Sequence, residues 1–305
     1  MEQSQPISLD DILSAFRTMD GVYKRDMVEA ALQRREEIVP RLIAILEEAV
    51  ADPDRFLEED DRFDHVYAVV LLRHFRAAEA HPVIVAAFSL PEKQVDYLFG
   101  DMITEDLPTI LLHTCGGSIS ALRAMILDPK VLDFCRASAL QAIVYAVAEG
   151  YVPRQEIIEL AGTLFTGSET QEGSDFWSFA AEILSFLQPR EIMPVIEQAY
   201  ENGLIYEDLI SLEDFESVLS LSPEEAMEGL KRHLEKNSPK DIHASISSWA
   251  CFRGDNDLMA PAGPADLFGS GLYGDWASKS AGKKAQTQKK KKRKQAKAAK
   301  RKNRR

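Results

Sequence analysis

Helical spacing of apolar residues constrains the fold of this chain more than any other feature of its sequence. In ISLDDILSAFRTM, near the start, Ile12, Phe16 and Met19 recur at intervals that place them on one helix face. Ser8 and Asp11, three residues apart, form the pattern of a capping box at the start of that helix. No segment alternates polar and apolar residues over a length that requires a β-sheet, so the chain is predicted to be all-α.

A helix, a short corner and a second helix recur four times after residue 64. Gly116-Gly117 and Gly150 mark places where a helix stops, and Pro153 marks the start of the next. The predicted first helices begin near His65, Glu105, Arg136 and Phe176. These starts are spaced at roughly the 40 residues that are typical of HEAT-like helix pairs.

One helix pair cannot bury its apolar face alone, whereas stacked neighbours can. The prediction is therefore a HEAT-like α-solenoid of stacked antiparallel helix pairs over residues 1–252, with a last pair at Leu212–Leu221 and Pro223–Lys236. The segment DIHASISSWACF, residues 241–252, is expected to form one short helix that lies against the last repeat. An irregular all-α bundle is the alternative.

Charge is divided unequally along the chain. From Lys279 to the end there are 15 Lys and Arg and no acid, whereas the preceding residues hold 21 bases and all 49 acids, a net charge of −28. Residues 253–282 are rich in Gly and Pro and predict a flexible linker. Residues 283–305, the basic tail, have a composition that predicts disorder.

The basic tail is suited to contacting phosphates rather than to reading bases. It has no aromatic residue for stacking, so it is predicted to bind RNA, the ribosome or another polyanion without sequence specificity. The predicted polyanion-binding residues are Lys289, Lys290, Lys291, Lys292, Arg293, Lys294, Lys297, Lys300, Arg301, Lys302, Arg304 and Arg305. A tail that only aids solubility is the alternative.

The cysteines and the apolar runs indicate the compartment. Cys115, Cys135 and Cys251 are few, odd in number and far apart, which favours a reducing environment. The start lacks the basic and apolar regions of a secretory signal, and runs such as VYAVVLL are too short to cross a bilayer. The protein is predicted to be soluble and cytoplasmic, with no membrane partner.

Four strings resemble a bacterial family catalogued as Domain of Unknown Function 1186. They are QRREEIVPRLIAILEEA, YAVVLLRHFRAAEA, MITEDLPTILLH and the end SWACF, and the resemblance covers about Ile7 to Phe252. It implies a helical protein, and it brings no established activity and no catalytic residues.

Some proteins similar to this family end in a small zinc module like that of the SecA translocation motor. Gly282-Lys283-Lys284 matches a fragment of that module, but no cysteine follows Cys251. Because a structural zinc site needs about four N or S ligands, no metal is predicted here.

The stretch LHTCGGS holds the residues closest to a catalytic pattern. His113 and Cys115 are two apart, and on a helix such residues point in different directions. No catalytic residue, cofactor or metal ligand is therefore predicted. The alternative is an enzyme in which His113, Cys115 and acids such as Glu105 and Asp106 meet in a cleft.

Residues 47–65 carry nine carboxylates against two arginines. This run predicts a solvated loop between repeats, with an acidic surface that receives a basic partner. Because a short flexible tether gives a local concentration in about the mM range, the chain's own tail is a candidate for that partner. The predicted acidic dock consists of Glu58, Glu59, Asp60 and Asp61.

These features together predict a non-enzymatic adaptor. Its concave solenoid face would hold an unidentified protein partner while its tail engages RNA or ribosomes. A pure protein-binding module, whose tail only keeps it soluble, is the second alternative.

Overall fold

A computed structural model describes residues 7–59, 61–171 and 173–252. This part of the chain is all-α, as predicted: it contains no β-strand, only one isolated antiparallel bridge between Thr18 and Arg62. The α-helices, in chain order, are α1 Leu9–Arg17, α2 Arg25–Leu32, α3 Arg35–Ala51, α4 Pro53–Glu58, α5 Asp64–His74, α6 His81–Ala87, α7 Glu92–Phe99, α8 Met102–Glu105, α9 Leu107–Thr114, α10 Ser120–Leu127, α11 Asp133–Ala148, α12 Arg154–Ala161, α13 Phe176–Ser185, α14 Met193–Glu201, α15 Leu212–Leu219, α16 Pro223–Asn237 and α17 Ile242–Ser247. The predicted linker and basic tail lie outside the described residues.

Local capping signals set several helix starts. Ser8 begins α1 as predicted, and its hydroxyl accepts from the Asp11 N–H while the Asp11 carboxylate accepts from the Ser8 N–H. The same reciprocal arrangement starts α15 at Ser211 and α16 at Ser222. Such boxes satisfy N–H groups that have no partner within the helix.

Consecutive helix pairs lie side by side. Helix α3 packs on α5 and α6, α5 on α9, α9 on α11, and α11 on α13. The second helices α6 and α10 also contact each other. Each unit therefore covers the apolar face of the next, while the extended open form of a solenoid stays a prediction.

Many polar contacts between units share one interval, and others, such as Ser138 to Ile103 at 35, lie near it. Among the described residues, six hydrogen bonds join residues that are 33 apart in sequence: His65 to Leu98, Arg73 to Asp106, His81 to Thr114, Arg123 to Glu156, Arg154 to Leu187 and Gln188 to Leu221. A constant interval arises when each unit contacts mainly its next neighbour. The interval is shorter than the spacing of about 40 residues expected from the helix starts.

Helix α11 is the centre of the core. Every residue from Cys135 to Val147 is buried, because α9, α10 and α13 surround the helix and α16 crosses it as well. The Tyr145 hydroxyl lies 2.9 Å from Nδ1 of His233 on α16 and accepts from Gln141 Nε2, also at 2.9 Å. Helix α16 thus occupies a face of α11 that would otherwise be open to a partner.

The prediction that the C-terminal segment lies against the last repeat was wrong. Residues 241–252, named the strap below, lie against the N-terminal helices: His243 contacts Tyr23, and Phe252 contacts Phe63. The reason is aromatic: Tyr23 and Phe63 present partly buried rings that the apolar side of α17 and the following turn cover. The C-terminal end of the described chain therefore lies against its N-terminal part.

The corner between α9 and α10 allows a matched test of backbone geometry. Gly116 and Gly117 both have left-handed φ, +59° and +84°, which costs a non-glycine residue about 1–2 kcal/mol. A Cβ at Gly116 would lie 3.2 Å from the Ala78 Cβ, whereas one at Gly117 would meet nothing within 4 Å. We expect Gly116→Ala to lower the free energy of unfolding more than Gly117→Ala in urea denaturation. Equal losses would mean that Ala78 moves aside without cost.

Candidate functional site

The acidic segment is organised around one buried arginine. Arg62 Nε lies 3.0 Å from Asp64 Oδ1, and its Nη2 lies 2.8 Å from Glu48 Oε2. A third carboxylate, Glu59, lies 3.7 Å from Nη1, and the guanidinium stacks 3.6 Å above the Phe56 ring centroid. The Arg62 side chain is only 1% exposed. Arg62 and Asp64 therefore form a desolvated ion pair against an aromatic ring, whereas the side chains of Glu48 and Glu59 are 37% and 31% exposed.

The elements that hold this network show that the prediction of a loop was wrong, although most of the described acids of the segment are exposed as predicted. Glu48 lies in α3, and Asp52 caps the short helix α4, where Pro53 is the first residue. Helix α4 places Phe56 in the core, and Asp64 begins α5. Burial of the aromatic side chain, which the count of charges did not weigh, draws the segment onto the body.

Electrostatics match this geometry. Burial alone would lower the pKa of Arg62, but the hydrogen bonds that Arg62 donates to Glu48 and Asp64 outweigh it and raise that pKa. The hydrogen bond from Arg62 in turn holds the pKa of Glu48 below its ordinary value. Arg62 and Glu48 therefore stay ionised at neutral pH.

The predicted acidic dock is divided by these contacts. Glu59 already binds Arg17 at 2.8 Å and Arg55 at 3.4 Å. Glu58 and Asp61 are exposed, and Asp60 lies outside the described residues. Part of the acidic charge is thus neutralised within the body, and docking of the tail at this place stays a prediction.

The strap is joined to the body by a chain of three polar side chains. The Tyr23 hydroxyl lies 2.6 Å from His243 Nδ1, and His243 Nε2 lies 3.1 Å from Glu29 Oε2. One proton arrangement satisfies both bonds: Tyr23 donates to Nδ1, and the Nε2–H donates to Glu29. The bond to His243 holds the pKa of Glu29 below its ordinary value, and burial raises the pKa of Tyr23 to about 12.

Aromatic rings complete the strap and bring the end of the described chain beside the acidic segment. The Phe63 ring centroid lies 6.1 Å from that of Trp249 and 6.2 Å from that of Phe252. Phe252 also contacts Tyr23 at 5.7 Å. Because Phe63 follows Arg62 directly, Phe252, the last residue that the structure describes, lies close to the ion network.

The predicted alternative at His113 and Cys115 is not assembled by contacts within the described residues. Cys115 is buried at the corner after α9, its thiol donates to the Leu112 carbonyl at 3.1 Å, and burial raises its pKa. Burial, with help from Arg76, lowers the pKa of His113 to about 4. Such a thiol is poorly activated, because the thiolate is the nucleophile.

Glu105 and Asp106, the two acids of the enzyme alternative, also have different surroundings. Asp106 binds Arg73 of α5, which ties α9 to its neighbour, while Glu105 is exposed. Partial desolvation, together with the nearby Asp101 and Asp106 carboxylates, raises the pKa of Glu105. Cys135, buried in α11, has a pKa raised to about 12 by burial. Asp106 and Cys135 thus contribute to the packing of the helices.

Within residues 7–59, 61–171 and 173–252, no group of three or more His, Cys, Asp or Glu is placed to hold a metal ion. Over the same ranges, no helix is long and apolar enough to span a membrane.

Comparison with known protein families gives a match over the helical body. A family model described as a protein of unknown function, DUF1186, matches residues 7–253, which is nearly all of the described chain. The chain belongs to this family. The resemblance found in the four strings is thereby confirmed.

Relatives of this DUF1186 protein occur in Chlamydia. It is 32% identical over 200 residues to an uncharacterized protein of Chlamydia muridarum (strain MoPn / Nigg), with 66% of this chain and 80% of the relative aligned. It is 31% identical over 200 residues to an uncharacterized protein of Chlamydia trachomatis serovar D, with 66% and 79% aligned. No solved structure matches the chain.

Sequence reasoning named some site residues and missed others. The predicted polyanion-binding residues, Lys289 to Arg305, lie outside the described residues. Arg62 and His243 were not singled out. Phe56 and Phe63, two aromatic residues within the acidic run, were a signal in the sequence that this segment packs on the body, where Arg62 would be buried. No such local signal exists for His243, because its partners are 220 and 214 residues away in sequence.

Proposed function

We propose that this DUF1186 protein is a non-enzymatic adaptor whose helical body binds a protein partner and whose basic tail binds RNA. The observation that carries the proposal is the division of charge: 15 Lys and Arg with no acid from Lys279 onward, against a net charge of −28 in the preceding residues. A body of that sign repels nucleic acid, so phosphate binding falls to the tail.

Two features of the body support the adaptor role. Stacked helix pairs expose extended surfaces on which a protein partner can lie. The strap ends at Phe252 against Phe63, and the proposal is that the helical body holds the protein partner while the tail, a separate segment of the chain, holds the RNA.

A salt titration tests the role of the tail. We expect the full chain to bind a single-stranded RNA of about 20 nucleotides in fluorescence anisotropy, and a chain ending at Ser278 to bind it at least about 100-fold more weakly at low salt. The logarithm of the binding constant of the full chain should fall with the logarithm of salt, with a slope of about −0.7 for each phosphate neutralised.

A variant of full length in which every Lys and Arg from Lys279 onward is Gln is the matched control, since it keeps the length of the tail. It should bind as weakly as the truncated chain. Equal binding by all three proteins would contradict the proposal and favour a protein-binding module whose tail only aids solubility.

The protein partner is sought with the same pair of chains. Full-length protein and the chain ending at Ser278 are used to recover proteins from native lysate, with and without nuclease. The adaptor role predicts one set of proteins recovered by both and a second set that needs both the tail and intact RNA. Recovery of a single, nuclease-insensitive set by both chains would contradict it.

A further inference from the structure

Two residues other than glycine have a left-handed backbone within the described ranges. They are Arg76, with φ +50°, and Gln188, with φ +48°. Each lies just before a short 3₁₀ turn at a corner between helices, Ala78–Ala80 after α5 and Arg190–Ile192 after α13. Glycine takes this conformation at the corners after α9 and α11. A side chain is unfavourable there, so it persists only where something offsets its cost.

The cost at Gln188 is offset inside the chain. Gln188 is buried, and its Nε2 donates to the carbonyl oxygens of Val218 at 2.7 Å and Leu221 at 2.9 Å. The left-handed backbone thus positions an amide group that ties the corner after α13 to the end of α15. A glycine at this corner could not make these two bonds.

Arg76 has no such compensation in the part of the chain that the structure describes. The residue is exposed, and its side chain makes no hydrogen bond or ion pair there. Arg73, one helix turn earlier, is by contrast buried and bound to Asp106. Strained residues occur preferentially where a ligand is bound. The side chain of Arg76 is therefore available to a group outside the chain.

The packing of α5 on α9 places His113 beside Arg76. Arg73 Nη1 donates to Thr109 Oγ1 at 3.4 Å. His113 follows Thr109 by one turn on the same face of α9, and Arg76 follows Arg73 by nearly one turn. Burial, with help from Arg76, lowers the pKa of His113 to about 4, so at neutral pH the ring is uncharged and can donate one N–H.

We propose that Arg76 and His113 form a binding site for a carboxylate, supplied by an Asp or Glu side chain of the protein partner of the helical body. The fork of a guanidinium matches a carboxylate in shape and charge. One full positive charge beside one neutral donor suits a singly charged carboxylate better than a doubly charged phosphate. Because Arg76 is exposed on a corner, the site suits a side chain presented by a protein better than a small free anion, which binds in concave pockets.

The inference rests on the proposed function, since it names the chemistry of a contact that the protein partner would make. Acetate tests the site without that partner. In a full chain labelled with ¹³C at histidine Cε1, we expect the His113 signal to shift saturably with acetate at neutral pH and constant ionic strength. His113→Asn identifies the signal by its loss. Arg76→Gln should abolish the shift, and Arg41→Gln, at an arginine whose side chain is 53% exposed on α3, should leave it unchanged.

Two further probes define the ligand. The blocked peptide acetyl-Gly-Glu-Gly-amide should shift the same signal at concentrations no higher than acetate requires, and inorganic phosphate should need more. A shift that does not saturate, or that survives Arg76→Gln, would overturn the site. Tighter binding of phosphate would overturn the choice of a carboxylate, and a peptide without effect would overturn its origin in a protein. The recovery of proteins from lysate is independent of these titrations, so the site and the adaptor role can fail separately.

Stability separates binding from a structural role of Arg76, such as a favourable interaction with the C-terminus of α5. Arg76→Gly should raise the midpoint of urea denaturation, because glycine accepts the left-handed backbone and no described contact of the side chain is lost. Gln188→Gly should lower the midpoint, because two hydrogen bonds are lost. A midpoint lowered by Arg76→Gly would mean that the chain itself holds this side chain, and it would overturn the proposal.

Discussion

Replacing Arg62 with alanine is expected to lower the free energy of unfolding by about 3–5 kcal/mol, the usual cost of removing one partner of a buried ion pair. Asp64, whose side chain is 5% exposed, would lose its partner and remain in a poorly solvated place. Glu48 would lose the hydrogen bond that holds its pKa down. Loss of the stacking on Phe56 would lower the free energy of unfolding further.

Arg55 provides a control with two of the same acids. It binds Glu48 at 3.1 Å and Glu59 at 3.4 Å, but its own side chain is 53% exposed. Arg55→Ala should cost about 1 kcal/mol or less, because exposed pairs are solvated and screened. Urea denaturation at neutral pH measures both variants. Similar losses for the two arginines would show that burial of Arg62 is not what makes it important.

Lowering the pH from about 7 to about 4.5 should destabilise the protein by several kcal/mol, chiefly through its buried histidines. Burial lowers the pKa of His65 and of His81, and it lowers the pKa of His113 to about 4. His65 and His81 each leave one ring nitrogen buried without a partner in the described part of the chain. A second proton on these rings would therefore have no acceptor.

The sign of the effect follows from linkage. Below about pH 6.5 the unfolded chain binds a proton at each of these histidines and the folded chain does not, so stability is full above that pH and falls below it. Each group contributes a slope of up to about 1.4 kcal/mol per pH unit. For His113 the loss continues until about pH 4, where the folded form also protonates.

The carboxylates act in a lower window. The hydrogen bond from Arg154 lowers the pKa of Glu191 to about 2. The stability that Glu191 contributes is therefore full above about pH 4.5 and is lost only as the pH falls from there towards about 2. Urea denaturation at several pH values separates the two windows. His113→Asn should reduce the slope of the free energy of unfolding against pH, between about pH 6 and about pH 4.5, by the contribution of one proton, about 1.4 kcal/mol per pH unit. A wild-type stability that is constant over that range would contradict the assignment.

Local signals predicted the helices well because their causes lie within a few residues. The Ser8 and Ser222 caps and the Gly116-Gly117 corner appear where the sequence places them. Hydrogen bonds to nearby N–H groups and the freedom of glycine act over one helix turn, so neither depends on the rest of the chain. The family resemblance was accessible for the same reason, since its strings are helix segments.

The prediction of a loop in the acidic segment was wrong because it rested on charge alone. The structure gives this segment a helix, a buried Phe56 and an internal Arg62 network. A carboxylate that finds an arginine inside the fold loses much of its value as an external binding site. Whether it finds one depends on packing, which composition does not specify.

The sequence by itself determined the all-α class, the helix pairs and the opposite charges of body and tail, because periodicity, capping and composition are properties of short segments. Only the tertiary structure decided that α16 crosses α11 and that the strap returns to Tyr23 and Phe63. Apolar burial is nondirectional and depends on the area covered rather than on position in the chain. Several faces could have covered those rings, and the choice among them belongs to the packing of the whole body.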